Sequence, residues 1–275
     1  MLAAPHPPVQ SPPVAPEKTP SAQPETGADP SAHRERGERI VLPAAAAKSL
    51  LPPFVSPRGL TLCVAGGVVV LALVAWLGVG VHLAHLRQLH LQQSGIVVGA
   101  LPLHQVSTML RIAQGVQAAV FGVTFLAFLA WLYRLRANLR ALGVRKLDLA
   151  RYWSVLGFLI PAVNFVLPYQ VMAEVWRASD PSVLDRFEWK VVEPPRILTL
   201  WWATFVIAAT LELAAFGLGQ TAGVIAFKSL VASAVAVLAD AVTGVSASLA
   251  YFVVTRLATA QVEKYRRLQG ESAGS

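Results

Sequence analysis

Apolar residues run along this chain in long blocks separated by short polar stretches. The first block predicts a spanning helix at about 60–81, and apolar spacing continues through Leu83, Leu86 and Leu89, so the helix is expected to project beyond the lipid. Gly95 and Pro102 break the pattern. A second helix is predicted at about 112–133, where Val116 to Trp131 is apolar apart from Gln117 and Thr124. Two further blocks predict helices at about 197–218, opening on Trp201 and Trp202, and at about 228–254. Each block approaches the roughly 20 apolar residues needed to cross a bilayer. Gly66, Gly67, Gly78 and Gly80 in the first would let a neighbouring helix come close.

Between the second and third of these blocks the pattern changes. Residues 153–177 hold a shorter apolar piece, about Val155 to Pro168, interrupted by Pro161 and Pro168. Those prolines deprive the Gly157 and Asn164 carbonyls of their helical donors. In lipid such carbonyls need other partners, so the piece is expected to be buried against other helices or to line a wet cavity. Its length suits a re-entrant or interfacial segment better than a crossing. Tyr169, Met172 and Trp176 are predicted on one helical face and Gln170, Glu174 and Arg177 on the other, as in a helix lying in the interface plane. Asp180-Pro181 reads as an N-cap and first helical residue for whatever follows. Ser182 to Arg196 is a polar connection.

Composition supports a membrane setting. Of the 275 residues, 55% are hydrophobic and 14% charged, against about 25% charged in a typical soluble domain. The fold class expected is all-α: a multi-span helical bundle of four spanning helices plus one short Pro-broken segment. Residues 58–268 form the transmembrane domain. Thirteen of the nineteen prolines lie before residue 58, so 1–57 reads as a disordered, partly polyproline II tail and 269–275 as a disordered C-terminus. The PxxP spacings at Pro5-Pro8 and Pro13-Pro16 could dock a partner, although such composition usually marks a plain tail. Met1 is not followed by a charged start and an apolar core, so no signal peptide is expected.

The net charge of +8 sits beside apolar segments, which assigns it to bilayer orientation and anionic lipid, not nucleic acid. If the broken segment turns back, only Arg87, Arg111 and Lys228 of the 23 Lys and Arg lie outside. Both termini and the Arg-rich loop are then cytoplasmic. A crossing would put the C-terminal cations outside, against the positive-inside bias. The candidate lipid-headgroup contacts are Arg134, Arg136, Arg140, Arg145, Lys146 and Arg177.

Three motif groups carry a resemblance: Trp131, Tyr133, Arg134, Asn138 and Leu139; then Pro161, Asn164, Pro168, Tyr169, Glu174, Trp176, Arg177, Ala178, Ser179 and Pro181; then Trp201 and Trp202. On these the chain, from roughly Leu60 to Leu268, resembles a bacterial family of integral membrane proteins known only as a domain of unknown function. The resemblance implies a multi-helix protein of the bacterial inner membrane and no activity.

Within the spans, Asp240 and Glu212 are the candidate functional residues, with Asn164 as a third polar group. A carboxylate at mid-bilayer costs about 2.5–3.5 kcal/mol and usually faces the bundle interior. Asp240 belongs to a stripe with Ala232, Ala236, Gly244 and Ser248, so it is expected to point at a neighbouring helix. It is either a protonatable or ion-binding group, or packing glue bonded to Asn164, Thr243 or a backbone carbonyl. His82 and His85 share a face, but interfacial histidines are a better account of them than a metal site. Cys63 is expected to be a small core side chain. With no metal, hydrolase or nucleotide motif and no internal repeat, no catalytic residue, cofactor or metal is expected. The leading expectation is a non-enzymatic envelope or assembly component. It would contact anionic lipid and pack as a homo-oligomer or with a membrane-protein partner. One alternative is a small transport or proton-linked component using Asp240 and Asn164. A weaker one is a lipid-acting enzyme using Tyr152, Tyr169 and Glu174.

Overall fold

A computed structural model of the chain describes residues 53–95, 103–144, 147–150, 152–160, 165–184, 188–221 and 226–271. These fold into six α-helices: α1 Arg58–Gln93, α2 Leu103–Asn138, α3 Trp153–Leu159, α4 Leu167–Ala178, α5 Arg196–Thr221 and α6 Ala226–Glu271, with a short 3-10 turn at Glu188–Val191. Four of them, α1, α2, α5 and α6, are long and apolar enough to cross a membrane. They extend past the predicted spans at both ends, and α1 continues beyond Leu89 to Gln93. Much of their apolar surface faces outward: Leu62, Leu73, Leu77, Val123, Leu126, Leu213 and Phe216 are all well exposed. Water would not tolerate so continuous a surface, whereas lipid does.

Contacts between the helices fix their directions. Trp131 near the end of α2 donates to Thr61 near the start of α1 at 3.0 Å. Phe54, just before α1, stacks on Tyr265 near the end of α6, ring centres 4.2 Å apart. Phe128 of α2 meets Trp201 at the start of α5. The start of α1, the end of α2, the start of α5 and the end of α6 therefore share one end of the bundle, here termed proximal. Packing order around the bundle is α2, α1, α6, α5. The α1–α6 seam is tight because small residues receive large ones. A Cβ on Gly78 would collide with the Asp240 carboxylate, and one on Gly244 would collide with Trp76. Gly67 similarly sits under Thr124 of α2, whereas Gly66 and Gly80 have no such neighbour.

The segment between α2 and α5 stays at the proximal end, as four spans require. Helix α3 stops at Leu159, just before Pro161, and Pro168 occupies the first turn of α4, where its missing N–H costs nothing. Pro161 and Asn164 themselves lie outside the described residues.

Several expectations are corrected. The inward face of α4 is Val171, Met172, Glu174, Val175 and Ala178, while Tyr169 and Trp176 are only half-buried. Glu174 is drawn inward by a buried arginine, which simple amphipathic spacing could not register. Asp180-Pro181 opens no helix. Instead Asp180 accepts from the Ser182 N–H at 2.8 Å and from its hydroxyl at 2.6 Å, a local turn that satisfies the backbone in place of a helical ladder. Phe54 and Val55 pack on the bundle and are not free tail, and α6 carries helix through Gln269 to Glu271. Cys63 is exposed on the outer face of α1 and is not a core side chain.

Candidate functional site

Helices α2 and α5 do not pack backbone to backbone. They face each other across a chamber of about 870 Å³ closed from behind by α1 and α6. The chamber has two unlike halves. Toward the proximal end its wall is aromatic: Phe121, Phe125 and Phe128 from α2, Phe158 from α3, and Trp201, Trp202 and Phe205 from α5. These rings touch one another, with Phe158 edge-on to Phe128 and Trp202, and Trp202 stacked on Phe205. Trp202 is held by a hydrogen bond from its indole N–H to the Phe165 carbonyl at 2.9 Å.

The distal half holds both predicted carboxylates, set among apolar residues such as Leu110, Val116 and Phe216. Asp240, 5% exposed, is pinned between Gly78 of α1 and Gln117 of α2. The Gln117 amide nitrogen donates to Asp240 Oδ1 at 3.1 Å and to Glu212 Oε1 at 3.0 Å. One side-chain amide thus directs its two hydrogens to two carboxylates from two different helices. Thr243, one turn beyond Asp240 on α6, donates to Glu212 Oε1 at 3.2 Å. So Thr243 serves Glu212 and not Asp240, and the partners found for Asp240 are Gln117 and His82. His82 Nε2 lies 3.8 Å from Asp240 Oδ2, close enough for charge interaction but too far for a hydrogen bond. His82 is buried, and its Nδ1 has no hydrogen-bond partner among the described residues. Arg111 and Gln114 form the exposed distal rim. Among the described residues no group of three His, Cys, Asp or Glu is arranged to hold a metal ion.

Asn164 lies outside the described residues, as do Arg145 and Lys146. Gln117 and His82, the two neighbours of Asp240, are among the members of the chamber that sequence reasoning did not assign to it. The signal for Gln117 was present: it is one of two polar side chains in an otherwise apolar run of α2, and the other, Thr124, also lines the chamber.

The proximal end is built differently. Arg136, assigned from sequence to lipid headgroups, is 1% exposed and pairs with Glu174 at 2.7 Å. It cannot reach a headgroup from there. It also donates to the Leu149 carbonyl, while Glu174 accepts from the Asp148 N–H at 2.5 Å. Asp148 in turn pairs with Lys190 at the surface. Asn138 bonds Val55 through both its carbonyl and its amide, and also donates to Gln261. Gln261 donates to the Leu135 carbonyl and the Ser179 hydroxyl. The buried Lys264 donates to the Ala178 carbonyl at 2.9 Å. The motif residues Asn138, Glu174, Ala178 and Ser179 thereby bind the ends of α2, α4 and α6 into one bracket. Of the remaining predicted headgroup contacts, Arg140 is exposed and Arg134 and Arg177 are half-buried.

A family model described as Domain of unknown function (DUF4328) matches residues 102–259, taking in α2 through most of α6 and leaving out α1. No curated protein and no solved structure matches the chain.

Proposed function

The chain belongs to the domain-of-unknown-function family DUF4328, and from that premise we propose that it is a non-enzymatic, proton- or cation-linked binding component of a bacterial inner membrane. The observation that carries this is the Gln117 amide shared between Asp240 and Glu212. Because both oxygens accept from one nitrogen, at 3.0 and 3.1 Å, they lie no more than about 6 Å apart, and two full negative charges at that separation repel by about 3 kcal/mol even at an effective dielectric of 20. Each also carries the cost of leaving water. One neutral amide and one threonine hydroxyl do not offset that. His82 is the nearest basic group, and Arg111 sits about 9 Å further along α2 at the rim. A proton or a cationic ligand therefore completes the pair, and exchanging one for the other couples occupancy of the chamber to charge.

Infrared difference spectra of the purified protein in lipid, recorded across a pH step, test this. A carboxyl band that vanishes in Asp240→Asn is expected. A spectrum that the replacement leaves unchanged would remove the basis for the proposal.

Envelope packing and contact with anionic lipid remain a second role, favoured by the outward position of Arg140 and the half-exposed Arg134 at the proximal end. In this orientation the proximal end is cytoplasmic, with both termini inside. A cysteine placed at Ser182 should resist membrane-impermeant reagents added to intact cells. Labelling there would reverse the orientation. The lipid-enzyme alternative loses its acid, because Glu174 is committed to Arg136 and the Asp148 backbone.

A further inference from the structure

The two halves of the chamber call for a ligand with two unlike ends. At the distal half, Asp240 and Glu212 converge on one amide, and His82, which also lines the chamber, holds its Nε2 3.8 Å from Asp240 Oδ2. At the proximal half, Phe121, Phe125, Trp201, Trp202 and Phe205 present ring faces and edges. Along α5 the separation from Glu212 to Phe205 is seven residues and to Trp201 eleven, or about 10 to 16 Å. The volume, about 870 Å³, lies at the upper part of the range for drug-sized ligands.

We infer that the chamber binds an organic cation with an apolar or aromatic body, its cationic centre directed at Asp240 and Glu212 and its body lying on the aromatic wall. This rests on the charge-linked chamber proposed above and names what fills it. Charge decides between ligand classes. A fatty acid or another anion would bring a third negative group against two carboxylates. A neutral lipid chain would make no use of the acid pair, which would simply keep its proton. A cation satisfies both carboxylates at once, while its apolar or aromatic body is buried against the ring wall. Arg111 does not supply that charge. It is exposed at the rim, where a long side chain extends toward headgroups.

The test uses the full chain in nanodiscs of zwitterionic lipid. (6-Phenylhexyl)trimethylammonium, with a cationic head and an aromatic tail, is the probe, and 6-phenylhexanesulfonate is its control, similar in shape but opposite in charge. Saturable binding of the ammonium ion is expected, not displaced by the sulfonate. The Asp240→Asn/Glu212→Gln double variant keeps the shape of both side chains and should weaken binding about a hundredfold. Trp201→Ala should weaken it about fivefold, through lost contact with the ligand's body. Unliganded thermal unfolding of each variant separates lost binding from lost fold. Equal binding of the two ions, or binding indifferent to the double variant, overturns the cation assignment. If the pH-linked carboxyl band persists while neither ion binds saturably, the ligand class falls and the charge-linked chamber stands. If the band is also absent, both fall.

Discussion

The bundle buries ionisable groups in two places and treats them in opposite ways. At the proximal end Arg136 meets Glu174 at 2.7 Å, and Glu174 also takes a backbone N–H. Opposite charges and local donors balance each other within the protein. In the chamber two acids share one neutral donor, and the nearest basic group stands 3.8 Å away. A buried charge that is balanced holds elements together. One that is left unbalanced, beside a cavity, is open to something from outside.

The largest expected effect tests the balanced end. Arg136→Met would leave Glu174 buried without its cation, which should destabilise the fold by about 3–5 kcal/mol. Thermal unfolding in a fixed detergent would read this. The double replacement Arg136→Met/Glu174→Met should recover most of the loss, because an apolar pair of similar volume needs no charge compensation. If the single change were silent, the pair would not be the bracket between α2 and α4, and the contrast with the chamber would fail.

Next in size is Gly78→Ala. The added Cβ would collide with the Asp240 carboxylate, so either that side chain or the α1–α6 seam must shift. A loss of about 1–3 kcal/mol is expected. Gly80→Ala, two residues on and with open space at its Cβ, is the matched control and should change stability little. Equal effects at the two positions would mean that the seam does not depend on the close approach at Asp240.

Replacing Gln117 by Leu removes a donor from both acids at once. The expected loss is about 1–3 kcal/mol, seen as earlier unfolding, with Gln117→Asn restoring little because the shorter amide cannot span two helices. This sharpens the comparison, since among the described residues the proximal bracket contains no single residue serving two like charges.

The four spans were legible because an apolar block of roughly 20 residues matches the thickness of a bilayer and exceeds the length of most buried core helices. The prolines correctly kept the middle segment short. That Asp240 points at another helix followed from its stripe of small neighbours. What was not legible depends on partners distant in sequence. Arg136 reads as one more cation in an Arg-rich run until Glu174, 38 positions on, is seen to fold back onto it. Glu174 shares the polar helical face of Gln170 and Arg177 in the sequence pattern, which gives no sign of its buried partner. Gln117 and Glu212 are 95 residues apart, and no periodicity within either helix could pair them. Local pattern gives the element and its buried stripe, whereas the charge partners are a property of how the stripes are assembled.

The smallest stability effect should come from Asp240→Asn, and there the two regions part most clearly. Asparagine keeps the planar shape that fits over Gly78, and its carbonyl oxygen can still accept from Gln117. Its amide nitrogen would take the place of Oδ2, which lies 3.8 Å from His82 Nε2. Unfolding should therefore shift by less than about 1 kcal/mol, in contrast to the several expected from Arg136→Met. Proton exchange at the chamber should nonetheless disappear, read as loss of the carboxyl infrared band. A large destabilisation with the band retained would make Asp240 a structural residue like Glu174, and the chamber would then be a second bracket with the charge balance supplied from within the protein.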